Sequence, residues 1–180
     1  MSRALARRYA KALVENLMEH EEDFEEALAQ LRKFSDVLKA NPRLYRYLSQ
    51  PVVPRRERLE MGRILVEDLG LSPRIRNFVL ILVEKERVPL LEIIVEEFRK
   101  LADEALGQVR GRVRTARPLS SRDLEALSKG FQDLVGKKVV LEVEEDPSII
   151  GGVVTLLGGV VFDGSIKGNL EQIREKLIEG

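Results

Sequence analysis

The hydrophobic period of this chain changes once, at Gly107, and no other feature limits the fold as much. Before Gly107, apolar residues recur every three to four positions; after it, they alternate. A 3.6-residue period puts apolar side chains on one stripe of a helix, and a two-residue period puts them on one face of a strand. The expected fold is therefore α + α/β in two domains. Residues 1–106 form a six-helix bundle, and residues 107–180 form a small α/β domain with a β-hairpin and a C-terminal helix. A length of 180 residues suits two small domains.

Local signals divide the first half. A first helix is expected over Arg3 to His20 and a second over Phe24 to Ala40, stopped by Asn41-Pro42. A short third helix covers Arg43 to Ser49, and a fourth runs from Pro54 to Leu69 and closes at Gly70. Ser72-Pro73 opens a fifth helix that reaches about Arg87, with a capping hydroxyl ahead of a proline in the first turn. Pro89 starts the sixth, which ends at Leu106-Gly107.

Beyond Gly107, Val109, Val113 and Thr115 alternate with Arg110, Arg112 and Arg114. Ser120 and Asp123 resemble a capping box for a helix to Val135. Val139, Leu141 and Val143 then alternate with Glu142 and Glu144 as a second strand. Two apolar strands, Val153 to Leu157 and Val160 to Phe162, are separated only by Gly158-Gly159, a strong hairpin signal. Asp163-Gly164 turns the chain again, and Asn169 with Gln172 is expected to cap a last helix bearing Leu170, Ile173 and Leu177.

The residue inventory argues against catalysis. His20 is the only histidine, lies in no metal-binding spacing, and is expected to be an exposed residue near a helix end. There is no cysteine, no GxSxG turn and no phosphate-binding GxxxxGK[ST] string, so neither a cofactor nor a metal is expected. The longest uncharged apolar run, Ile149 to Phe162, is shorter than the roughly 20 residues of a membrane helix and is broken by glycines. Arg3, Arg7 and Arg8 could suggest a transit peptide, but acidic residues begin at Glu15 and the helical pattern runs straight through. Thirty basic residues balance thirty acidic ones, so no net charge draws the whole chain to nucleic acid.

Two surfaces remain as candidates. Arg110, Arg112 and Arg114 put three cations on one strand face, either for a nucleic-acid-binding adaptor or for pairing with Glu142 and Glu144 across a sheet. No aromatic lies between residues 99 and 130 to stack on bases, which favours the sheet. In the helical half, Phe78 to Val83 are six consecutive apolar residues, and the first helix carries two neighbouring apolar stripes. One such helix can be central and fully covered. Two are harder to bury, so either a complete core or a groove for a partner's amphipathic helix fits the pattern.

Several strings resemble the delta subunit of F-type ATP synthases, the family of the oligomycin-sensitivity-conferring protein. Arg8-Tyr9-Ala10-Lys11-Ala12-Leu13 is similar to the family's opening RYAKAL. Asn77-Phe78 through Leu82 with Glu86-Arg87, and Val113 with Ala116, Pro118 and Leu119, resemble two internal motifs. The most specific match is Asp146, Pro147, Gly151 and Gly152 followed by Asp163, Gly164, Ser165 and Gly168, a signature of backbone geometry. Gly158-Gly159-Val160 departs from it where relatives often have Gly-Asp-Lys.

The resemblance implies a non-catalytic stator subunit that ties the catalytic head to the peripheral stalk, so that rotor torque drives ATP synthesis. It also implies one copy per complex, at the cytoplasmic face of a bacterial inner membrane without insertion into it. The first domain would bind the N-terminal helix of the alpha subunit between its first and fifth helices, through Tyr9, Ala10, Leu13, Phe78 and Leu82. The second would meet the C-terminal ends of the b subunits. A Phe78→Asp change is then expected to weaken alpha binding and leave the domain folded.

Overall fold

The structure is a computed structural model that describes residues 2–170. It is a mostly helical α+β fold with one four-stranded mixed sheet. The chain divides into two compact units between Ala102 and Asp103.

The first unit holds α1 (Ser2–Glu19), α2 (Phe24–Ala40), α3 (Pro42–Ser49), α4 (Arg55–Asp68), α5 (Pro73–Glu84), a 3-10 turn (Val88–Leu90) and most of α6 (Leu91–Ala105). Asp23 starts α2 by accepting from the N–H groups of Glu25 and Glu26 at 2.6 and 3.2 Å. Asn41 ends α2 and caps α3 by accepting from Leu44 N–H at 3.2 Å. The core draws on every helix, with Leu17, Leu31, Phe34, Leu48, Val66, Ile75, Leu82, Ile94 and Phe98 all at 1% exposure or less. Phe24 meets the Phe98 ring edge-on at 6.2 Å. Gly62 lets α4 lie close to α5, since a Cβ there would sit 3.3 Å from Leu80.

Helix α5 stops at Glu84, three residues before the expected Arg87. The reason is a Schellman ending on a residue that is not glycine. Glu86 takes φ +59°, its N–H donates to Val83 O at 3.3 Å, and Arg87 N–H donates to Leu82 O at 2.8 Å. Helix α1 ends the same way at Glu21, φ +53°, with Glu22 N–H donating to Leu17 O at 3.0 Å. Helices α4 and α6 close instead on Gly70 and Gly107, at φ +62° and +60°, the residue that such a turn favours. Glu86 is held by Arg58, itself 3% exposed, at 2.8 Å, and Arg58 also donates to Gln50 O at 3.0 Å.

The second unit contains β1 (Gln108–Thr115), α7 (Ser121–Val135), β2 (Lys138–Glu145), β3 (Gly152–Leu157) and β4 (Val160–Ser165). Strand order is β2-β1-β3-β4, with β1 parallel to β2 and antiparallel to β3, and β3 antiparallel to β4. The register aligns Val113 with Val143 and Thr155, and Thr155 with Phe162, on one face. Helix α7 covers that face, bringing Phe131 edge-on to Phe162 at 5.1 Å. Ser120 caps α7 as the sequence predicts, accepting from Asp123 N–H at 3.2 Å. Gly158 and Gly159, at φ +59° and +88°, form the expected two-residue hairpin turn, since both central positions need left-handed backbone.

The last helix does not begin at Asn169. Residues 166–170 are already helical, and Ser165 is the cap, accepting from Gly168 N–H at 3.0 Å. Ser165 wins because Asp163 accepts its N–H at 2.9 Å and turns the chain at the strand end. The continuation through Gln172, Ile173 and Leu177 lies outside the described residues.

Candidate partner-binding site

On α1, Tyr9, Ala12, Leu13 and Asn16 follow the i, i+3, i+4, i+7 spacing that makes one ridge, and His20, just past the helix end, continues it. On α5, Arg74, Asn77, Phe78 and Ile81 do the same. The two ridges enclose a shallow groove of about 550 Å³. Ala6 and Ala10, both at 0% exposure, lie on the adjoining core face of α1. Tyr9 meets Phe78 edge-on with ring centres 6.5 Å apart, and Glu22 pairs with Arg74 at 3.1 Å. Those two contacts fix α1 and α5 as antiparallel along the groove.

Of the residues expected at a partner surface, Tyr9, Leu13 and Phe78 line the groove. Ala10 and Leu82, at 0% and 1% exposure, instead face the core. A helix that is apolar all round marks no face by periodicity, which is why sequence could not separate Leu82 from Ile81. Ile81 is 45% exposed and is the largest apolar side chain α5 offers to solvent. Ala12, Asn16, His20, Arg74 and Asn77 also line the groove and were missed. Helical spacing from Tyr9 and Phe78 would have found them.

Chemically, the groove has an apolar end at Tyr9, Leu13, Phe78 and Ile81 and a polar end at Asn16, His20, Arg74 and Asn77. His20 is exposed, as expected, and its Nδ1 lies 2.8 Å from Asn16 O. A carbonyl only accepts, so Nδ1 carries the proton and Nε2 is the acceptor of the neutral ring. Phe78 is 8% exposed, so a carboxylate at that position would enter a nearly closed site. Phe78→Asp is therefore expected to disturb the fold as well as the groove, contrary to the sequence reading, whereas Ile81 is exposed enough to change without entering the core.

The other predicted residues sit in the second unit. Arg110 is held by Asp103 at 2.9 Å and by Glu142 at 3.5 Å, Arg112 stands opposite Glu142, and Arg114 pairs with Asp146. Carboxylates from α6, from β2 and from the residue after β2 thus meet the arginine strand. The Asp146–Gly168 residues form a linked set of turns. Asp146 takes the Ser148 N–H at 2.8 Å on its carboxylate, and Pro147 lies between them. Gly151 O accepts from Ile166 N–H at 3.0 Å, and Gly152 pairs with Ser165 across β3 and β4. Gly152 has φ +82°, and a Cβ there would collide with the Gly164 carbonyl. The Ser148 hydroxyl and N–H, then Arg114, hold the Asp146 carboxyl down at about 2. Ser165 lowers Asp163 in the same way, through its hydroxyl and then its N–H. Among the described residues no cluster of three or more His, Cys, Asp or Glu could hold a metal ion.

Comparison with known proteins gives one consistent answer. The family of ATP synthase delta (OSCP) subunits matches residues 5–177. An ATP synthase subunit delta of Desulfatibacillum aliphaticivorans is 39% identical over 96% of this chain and 94% of its own length. Those of Citrifermentans bemidjiense and Trichlorobacter lovleyi are 38% and 37% identical, over 98% and 100% of this chain and 98% and 99% of their own. A chain in the cryo-EM structure of the Toxoplasma gondii mitochondrial ATP synthase hexamer shares the fold, with a TM-score of 0.61, 23% identity and 97% coverage of both chains.

Proposed function

Because this chain belongs to the ATP synthase delta (OSCP) subunit family, it is a non-catalytic stator subunit of an F-type ATP synthase, and we propose that the α1/α5 groove holds the N-terminal helix of the alpha subunit. One observation carries that assignment: Ile81, 45% exposed, and half-buried Tyr9 form an apolar strip over buried Leu13 and Phe78, between the ridges of α1 and α5. An amphipathic helix laid there would remove that strip from water at roughly 25 cal/mol per Å², less the cost of ordering.

The stator must hold under torque, and a nanomolar joint corresponds to about 12 kcal/mol. The six helices before Gly107 act as one bundle in this reading, with the groove on its surface. The second unit takes the C-terminal ends of the b subunits. Its exposed apolar residues, Leu134 on α7 and Val161 on β4, support this by offering surface to cover. No described helix is long and apolar enough to cross a membrane. The proposed location is peripheral, one copy per complex, at the cytoplasmic face of a bacterial inner membrane.

Calorimetric titration with a synthetic peptide of the alpha N-terminus tests the groove. Ile81→Asp is expected to weaken binding about 30-fold or more, roughly 2 kcal/mol, while circular dichroism and the urea midpoint stay close to wild type. Unchanged affinity would overturn the assignment.

A further inference from the structure

Helix α1 carries its charges in an order that opposes its own dipole. Arg3, Arg7, Arg8 and Lys11 fill its first half, no acidic residue comes before Glu15, and no lysine or arginine follows Lys11 until Arg32. Its first turn has no acidic residue and its last turn no basic one. A helix favours the reverse, with carboxylates at the positive N-terminus and cations at the negative C-terminus. Helix α2 follows that rule, with Glu25 and Glu26 in its first turn and Lys39 in its last. Even the one internal pair, Lys11 with Glu15 at 3.6 Å, runs in the weaker i,i+4 direction.

These charges stand beside the groove. Arg8, Ala12, Glu15 and Glu19 are spaced i, i+4, i+7 and i+11, so they form a ridge that shares Ala12 with the groove face of Tyr9, Leu13, Asn16 and His20. All four are exposed. On the opposite wall the charges are paired with residues outside α5, Arg74 with Glu22 at 3.1 Å and Glu84 with Arg55 at 2.5 Å and Lys85 at 3.6 Å. The α1 rim therefore offers a basic flank at the Tyr9 end and an acidic one at the His20 end.

We infer that this rim sets the direction of the bound helix: the guest is an amphipathic helix with acidic residues in its first turn and basic residues in its last, lying parallel to α1. A guest charged in that ordinary order meets opposite charge at both ends only when its N-terminus lies by Arg8 and its C-terminus by Glu19. Laid the other way, it meets like charge at both ends. This inference rests on the groove assignment, and it adds Arg8 and Glu19 as specificity-determining residues that make no part of the apolar contact.

The chain has no cysteine, so single spin labels can be placed on the full-length protein without background. Ala4→Cys and Met18→Cys both fall on exposed positions away from the groove, about 21 Å apart along α1 at 1.5 Å per residue. The probe is the synthetic alpha N-terminal peptide with a nitroxide at its amino end. Pulsed electron-spin distances are expected to be shorter to position 4 than to position 18. The opposite order, or an equal mixture, overturns the direction and leaves the groove standing. No binding by the wild-type chain overturns both. Arg8→Glu is expected to weaken binding about 3- to 5-fold at low ionic strength, an effect that vanishes near 1 M salt. Equal or tighter binding by that variant overturns charge as the cause.

Discussion

Two glutamates hold the same strained backbone for different ends. Glu21 and Glu86 both occupy the left-handed position that closes a helix, at φ +53° and +59°. An L-residue costs roughly 1–2 kcal/mol there, and glycine gives back part of the gain through its unfolded-state entropy. Glu21→Gly is therefore expected to stabilise the chain by about 0.5–1 kcal/mol, read as a higher urea midpoint. Glu86→Gly relieves the same strain but strips the partner from Arg58, which is 3% exposed. A buried cation left unpaired costs more than the turn returns, so that variant is expected to lose about 1–2 kcal/mol. Opposite signs from the same substitution would separate the backbone term from the charge term. Neither turn was legible in the sequence. A glutamate gives no sign that it will adopt the conformation glycine marks, and that is why α5 was read three residues too long.

The elements themselves were far more legible. Asn41-Pro42, Pro54, Gly70 and Pro73 bound their helices by local chemistry, although the Ser72 hydroxyl expected to cap α5 makes no capping hydrogen bond, and the hairpin followed from two glycines between apolar runs. What stayed hidden was set by tertiary contact: which sides of α1 and α5 face the groove, and how Asp163 hands the last cap to Ser165. The linked turns of the second unit make two predictions at this scale. Gly152→Ala forces a Cβ against the Gly164 carbonyl and is expected to destabilise the sheet by about 3 kcal/mol or more. Asp146 binds its proton less readily in the folded state, at about 2 instead of 3.8. Its contribution to stability is therefore fully present above about pH 4 and fades as pH falls toward 2. In Asp146→Asn the acid loss of stability should be shallower and the neutral-pH stability lower, both measurable by urea unfolding at pH 7 and pH 3.

At the scale of the whole molecule, the groove is built entirely from residues of the first unit, and the Asp146–Gly168 turns entirely from the second. Damage to one should not be felt by the other. Gly152→Ala is expected to leave alpha-peptide affinity within about 2-fold of wild type at a temperature where both units remain folded. A larger loss would mean that the units are energetically coupled.

The strand order has a consequence for how the chain is made. Strand β1 is central in its sheet yet comes first, and its neighbours are residues 138–145 and 152–157. On a ribosome, β1 must wait about thirty more residues for its first neighbour and about forty for its second, whereas α1 to α6 all precede it in the chain. The nascent chain thus completes the groove early and carries an unsatisfied strand afterwards, so the second half is where a slow translation step or a bound chaperone would matter most.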